Sequence, residues 1–282
     1  MARMDGLSPR LRSAAEFVAA HPDEVATHTL RQVAKAANLT PPTLSRLARA
    51  LDCETYEDLR EICRGELKRR NRSLADKAEA LLKLSTDSNA PERSGIMISQ
   101  AKSAVSNIQH LMQTIDLEKL REAADSLAAA RRVVLIGSSS TFAMMNYFAR
   151  MGQMVFDNWT VAGVDGAFWS HEIARLDSRD AAFVVSLNPY ADICIRAAGM
   201  ARKSGADVIA ITDGVQSPLA PIATHCFMVE TDSPQFFPSH VATLVLIEGI
   251  MGMIVRREGG HAAARIRSTE RFGKQLGEYW QN

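Results

Sequence analysis

Apolar positions recur at helical spacing through the first seventy residues. Leu11, Ala14, Ala15, Phe17 and Val18 form one stripe, opened by Ser8-Pro9 as cap and first helical residue and closed by His21-Pro22. A short element follows over Asp23–Thr27. Leu30, Val33, Ala34 and Ala37 form the next buried face, with Thr29 placed to cap it and Asn38 placed for the left-handed turn that ends it. The chain restarts at Thr40-Pro41-Pro42. Thr40 is the expected cap, and Leu44, Leu47, Ala48 and Leu51 mark the inward face. A last amphipathic stretch runs from about Tyr56 to Asn71 and contains Lys68-Arg69-Arg70.

A polar segment with Pro and Gly occupies residues 85–95 and reads as a connection. The expected organisation is a helical domain over 1–77, a linker over 78–95 and a second domain over 96–282. Helical patterns cover about Met97–Met112 and the stretch from a capping Asp116 to about Ala130. From Arg132 the period changes. Val133–Ile136, Ala181–Leu187, Asp207–Ile211 and His225–Glu230 read as strands, with another expected near Gln153–Phe156. Helical stretches separate them, up to about Met151 and up to about Ser204. Strands alternating with helices argue an α/β domain with a parallel sheet flanked by helices on both faces. Phe237–Arg256 is apolar enough for a buried helix, and 157–180 reads as a loop and helix flanking a pocket.

The 282 residues, 46% hydrophobic and 23% charged, exclude a disordered or disulfide-stapled chain and leave room for two domains. There is no apolar run long enough for a transmembrane helix and no secretory leader pattern, so a membrane partner is not expected. Cys53, Cys63, Cys194 and Cys226 form no CxxC pair and suit a reducing cytoplasm. The net charge is +1; residues 1–75 hold 13 Lys and Arg against 10 Asp and Glu. That surplus is too small to imply nucleic acid by itself.

The motif implies it instead. Two helices joined by a short turn, the second opening with small polar residues, form a helix-turn-helix pattern. The major groove admits one helix, whose first turns must present short or Arg side chains to base edges. Periodicity places Thr40, Pro42, Thr43, Ser45, Arg46 and Arg49 on the outward face. The competing reading is a helical interaction domain with a solvated polar face.

In the second domain, Gly137-Ser-Ser-Ser-Thr141 leads from a strand into a helix, where hydroxyls and backbone N–H groups suit an anion. Ser186 ends the next strand at the same sheet edge, where open α/β sheets bind ligands. The alternative is a serine-rich helix cap. No HExxH, GxSxG or P-loop motif is present, and neither a metal nor a cofactor is expected. His171-Glu172 is the one acid/base candidate, against a structural pair. His225 reads as a strand-start residue, and His240 as a side chain near a long apolar helix that can line the pocket.

Together these residues resemble the RpiR family of bacterial regulators, which join a helix-turn-helix domain to a SIS (sugar isomerase) domain. Leu30–Leu51 is similar to the family's "LAxxAxVSxxTxxRxxxxLG" core, and Asp52–Arg60 to the segment that follows it. Val133–Thr141 resembles the SIS glycine/serine loop, and Ser186–Tyr190, Ala210–Gly214, Ser217–Leu219 and Phe236–Ser239 follow in the family's order. The resemblance implies a regulator of carbohydrate or polyol catabolism, more often a repressor. Its implied partners are duplex operator DNA and a sugar, polyol or sugar-phosphate effector, in a homodimer or tetramer. It carries ligand binding onto Ser139, Ser140, Thr141, Ser186, Asn188 and Tyr190. The family's "SxSGxT" is Ser186-Leu-Asn188-Pro189-Tyr190-Ala191 here. Pro189 removes an N–H donor and Ala191 a hydroxyl, which implies an altered ligand specificity. The alternatives are a sugar-phosphate isomerase using His171 or Glu172, and an adaptor with a vestigial pocket.

Overall fold

The structure is a computed structural model that describes residues 7–70, 73–84, 92–278 and 280. The chain forms two compact units, Met1–Asp87 and Ser88–Asn282.

The first unit contains α1 (Pro9–Ala20), α2 (Pro22–Thr27), α3 (Leu30–Ala36), α4 (Pro41–Ala50), α5 (Tyr56–Arg70) and α6 (Leu74–Leu84). Ala14, Val25, Val33, Leu44, Leu47 and Leu59 meet in one core, each at most 4% exposed. Thr29 and Gln32 form a reciprocal capping box at the start of α3. Asn38 takes the left-handed turn at φ 54°, and its neighbour's N–H closes back on Ala34. Ser8 and Thr40 occupy cap positions without a capping side-chain hydrogen bond. The expected role of Thr40 is corrected accordingly: its hydroxyl pairs with that of Thr43 instead, at 2.9 Å.

Of the stretch 78–95, residues 78–84 continue α6 and 92–95 open α7 (Glu92–Thr114), while 85–91 lie outside the described residues.

The second unit continues with α8 (Leu117–Ala129), β1 (Val133–Ile136), α9 (Ser140–Gln153), β2 (Trp159–Val161), α10 (Trp169–Ile173), β3 (Ala181–Val185), α11 (Asp192–Lys203), β4 (Asp207–Thr212), β5 (His225–Met228), α12 (Val241–Glu258) and α13 (Gly260–Leu276). Asp116 caps α8 by accepting from the N–H groups of Glu118 and Lys119. The five strands pair in parallel in the order β2-β1-β3-β4-β5. β1, β3 and β4 are buried on both faces, as a covered parallel sheet demands. Val133, Leu135, Phe183, Ile209 and Ile211 pack one face against α8, α9 and α12. Val134, Ile136, Ala182, Val184, Val208 and Ala210 pack the other against α11 and Ile173 of α10.

The strand expected near Gln153–Phe156 is displaced. Gln153 still belongs to α9, and Trp159 is the residue in register with Val133. The packing explains it. A Cβ on Gly152 would lie 2.3 Å from the Trp159 ring, so glycine lets the indole seat directly on α9. Two helices, α6 and α13, lie outside the helical stretches expected from the sequence.

Candidate functional site

In the first unit, α4 presents the polar face of a helix-turn-helix. Leu44, Leu47 and Ala48 are fully buried and fix its rotation. Thr40, Pro42, Arg46 and Arg49 are exposed, and Ser45 is half-buried. Arg46 Nε reaches the Pro42 carbonyl at 3.4 Å. Thr43 departs from the expected outward face. It is 4% exposed, because it lies one turn before Leu47 and its hydroxyl is spent on Thr40. The side chains of 68–70 lie outside the described residues.

In the second unit, the order β2-β1-β3-β4-β5 places a topological switch between β1 and β3: the chain leaves β1 toward β2 and resumes on β1's other side. Open α/β sheets bind ligands outside the strand carboxyl ends at such a point. The loops after β1 and β3 carry the expected hydroxyls, and pairing of Ile136 with Val184 sets the two loops side by side.

The first loop is a tight turn. Ser139 has φ 55° and ψ −123°, and the Thr141 N–H closes on the Ser138 carbonyl at 3.2 Å. Thr141 is buried; its hydroxyl donates to the Ser138 carbonyl and accepts from the Ser138 N–H, each at 2.9 Å. It therefore builds the turn. Ser139 is exposed, and Ser140, half-buried, opens α9. Gly137 is required beneath: a Cβ there would lie 2.7 Å from the Thr141 carbonyl oxygen.

The second loop is held from two sides. The Ser186 side chain is 3% exposed and accepts from the Ala191 N–H at 3.3 Å. The Asn188 N–H donates to Asp213 at 3.1 Å, and Asn188–Pro189 is cis. Asn188 itself is exposed and Tyr190 half-buried. Behind them, the buried Thr212 hydroxyl lies 2.9 Å from the Ser186 carbonyl and 2.6 Å from the Ser217 hydroxyl. With one hydrogen on each, the relay runs from Ser217 through Thr212 to that carbonyl.

A third element joins them. His240, at the cap of α12, places Nε2 3.0 Å from the Ser140 hydroxyl. Burial lowers its pKa and favours the neutral ring. Ser239 and Thr243 flank it, 4% and 0% exposed. Ser239 Oγ, His240 Nδ1 and Thr243 Oγ1 are buried without a hydrogen-bond partner, and each such group costs about 1–3 kcal/mol. His240 has a sequence signal as a side chain that can line the pocket, and Asp213 and Ser239 lie in segments that carry the resemblance; Thr243, within α12, has none.

His171 and Glu172 sit elsewhere, on α10. His171 approaches Arg175 at 3.4 Å and Glu172 approaches Thr160 at 3.5 Å. No hydrogen bond joins either to the hydroxyl loops among the described residues. His225 opens β5, 3.9 Å from Glu122. No group of three His, Cys, Asp or Glu side chains that could hold a metal occurs among the described residues, and no described helix is long and apolar enough to cross a membrane.

Residues 126–251, which include all five strands and the three site segments, match the family model described as "SIS domain". This region is a SIS domain. The resemblance read from the sequence is borne out by the relatives. The chain is 24% identical over 289 aligned positions to the HTH-type transcriptional regulator HexR of Escherichia coli, covering 97% of this chain and 94% of that one. It is 27% identical to the Bifunctional protein glk of Burkholderia thailandensis over 92% of its own length, but spans only 39% of that protein. Among solved structures, the sugar isomerase domain of an RpiR transcription factor from Sphaerobacter thermophilus superposes with TM-score 0.59 at 22% identity. It covers 62% of this chain and 98% of its own. The Vibrio vulnificus NanR protein, solved with ManNAc-6P, has TM-score 0.58 at 20% identity, over 97% and 96% of the two chains. A helix-turn-helix followed by a SIS domain is thus the architecture of this chain.

Proposed function

We propose that the chain is a DNA-binding transcriptional regulator whose SIS domain senses a sugar, polyol or sugar phosphate. One observation carries this: a helix-turn-helix with Pro42, Ser45, Arg46 and Arg49 open on α4 shares a chain with a SIS domain whose hydroxyl loops flank its switch point. The naming of HexR as a regulator and the sugar phosphate in the NanR structure support it. One recognition helix reads few base pairs, so two copies on a two-fold operator are required. Repression of a catabolic operon is the mode we favour, acting on DNA in the cytoplasm.

The site also has a route out. The segment between β5 and α12 is clasped by Ser239 N–H on the Thr231 carbonyl at 3.0 Å. The same segment holds α7: Asn107, 2% exposed, donates Nδ2 to the Asp232 carbonyl at 2.9 Å, and Ser233 bonds Gln100 at 3.0 Å. α7 is the first helix after the DNA-binding unit, so a shift of this segment reaches the chain that leads there. A coupling of about 1–3 kcal/mol, or 5–150-fold in operator affinity, is the expected scale.

The test is a mobility-shift titration on the DNA upstream of the chain's own coding sequence, with and without a panel of sugars, polyols and their phosphates. Selective, salt-sensitive binding shifted by one compound is expected. Absence of selective binding, together with turnover of a sugar phosphate abolished in Glu172→Gln, would replace the regulator by an isomerase.

A further inference from the structure

We propose that Ser239, His240 and Thr243 at the start of α12, with Phe236 and Phe237 beside them, form the subsite that reads the hydroxyl groups of the effector's carbon skeleton. The proposal rests on the effector-binding reading above and deepens it.

Three observations carry it. First, Ser239 Oγ, His240 Nδ1 and Thr243 Oγ1 are buried polar atoms without partners, gathered within five residues. Buried polar groups are paired in the great majority of cases, so three together mark a place where polar partners belong. Second, the His240–Ser140 bond fastens this cluster to the opening residue of α9, in the loop beside the switch point. The cluster therefore adjoins the place where the fold puts a ligand. Third, the Phe237 ring stands edge-on to His240 at 5.9 Å and to the exposed Phe236 at 5.9 Å.

The chemistry selects the ligand class. Each hydroxyl offers a donor and an acceptor, and His240 Nδ1, with Nε2 committed to Ser140, offers one or the other according to the tautomer, a set that neighbouring hydroxyls on a sugar or polyol can match. The aromatic rings supply the apolar wall that the C–H face of such a ring requires. An anionic group, where the effector has one, falls instead to the N–H groups at the start of α9, with Ser139 and Ser140. The three atoms are closed off from solvent, so engagement moves the 231–239 segment. That is the segment Asn107 and Gln100 hold from α7, which makes recognition and signalling one event.

The experiment is isothermal titration of the full chain with glucose, myo-inositol, glucose 6-phosphate, fructose 6-phosphate and inorganic phosphate. It compares the parent with Thr243→Val, Ser239→Ala and His240→Gln. The glutamine keeps a polar group toward Ser140 and removes the Nδ1 position. Each variant should weaken the best polyhydroxyl ligand by roughly 3- to 10-fold, the loss of one hydrogen bond. Inorganic phosphate affinity should not change in Thr243→Val and Ser239→Ala; His240→Gln, whose partner Ser140 also serves the anion, is read on the polyhydroxyl ligand alone. The unliganded melting temperature of Thr243→Val should hold or rise, since the hydroxyl removed has no partner. Variants that bind the polyhydroxyl ligand like the parent, or a Thr243→Val and a Ser239→Ala that lose inorganic phosphate equally, would overturn the subsite alone. A parent that binds none of the five compounds would overturn the effector-site reading, and the subsite with it.

Discussion

The imidazole of His240 meets the hydroxyl of Ser140 at 3.0 Å across 100 residues of chain, joining the starts of α9 and α12. The ring is neutral because burial depresses its pKa below the ordinary value of about 6.5. Protonation then favours the unfolded chain, which binds the proton more tightly. Stability contributed by the neutral ring is complete above about pH 6.5 and declines as pH falls toward the folded pKa. His240→Gln removes this term. Urea unfolding at a series of pH values should show a shallower loss between about pH 7 and pH 5 in the variant than in the parent. Parallel curves would mean that His240 is freely hydrated.

Ser139 occupies φ 55° and ψ −123°, a backbone region that glycine enters freely and other residues enter at about 1–3 kcal/mol. Ser139→Gly should therefore raise stability by about 1 kcal/mol in thermal unfolding. Because the side chain is exposed at the switch point, the same variant should bind the effector less tightly. A stabler protein with a weaker site is the expected outcome; a lower melting temperature would show that the serine side chain holds the turn.

On α4, Arg46 and Arg49 point outward while Thr43 is buried against the helix core. Fluorescence anisotropy with the operator should report a loss of about 1–3 kcal/mol for Arg46→Ala or Arg49→Ala if either reads a base. An arginine that contacts only phosphate should instead lower the salt slope by about one, with little change in sequence preference. Thr43→Val should cost stability through the lost Thr40 bond, yet leave operator affinity nearly unchanged.

The legibility of the sequence follows from the same physics. β1, β3 and β4 announced themselves as apolar runs because both faces of the sheet are covered. The helix-turn-helix was readable from Thr29, Asn38 and the spacing of Leu44 and Leu47, since caps and core faces are local. β2 was misplaced because its position is set by a long-range fit, the Trp159 ring against Gly152. The hydroxyls after β1 and β3 were visible, but their division of labour was not. Thr141 and Ser186 are spent on the loops' own backbone, which only the folded turns reveal. Thr243 was silent because a lone Thr inside an apolar helical stretch reads as core, and Ser239 stood only as the end of the Phe236–Ser239 segment, with no local sign that its hydroxyl is buried without a partner.

At the opposite edge of the sheet, Arg131 and Asp180 bind the starts of β1 and β3. The Asp180 side chain is 0% exposed and accepts from Arg131 Nε at 2.9 Å and Nη2 at 2.7 Å, and from the Asp177 N–H at 2.8 Å. Burial pushes this carboxyl up, but those donors outweigh it and hold it below the ordinary carboxylate range. Its stabilising contribution is thus present above about pH 3.9 and is lost as pH falls toward the depressed folded value. Arg131→Met leaves a buried carboxylate with one backbone donor. The Arg131 side chain is 37% exposed, so solvent screens part of the loss and the cost stays below that of breaking a wholly buried pair. With desolvation unopposed, the carboxyl of the variant should rise, and acidification should relieve part of the penalty. Urea midpoints measured from pH 7 down to pH 3 should fall more gently in Arg131→Met than in the parent. Effector affinity should not change, because the pair lies at the amino ends of the strands and the ligand site at their carboxyl ends.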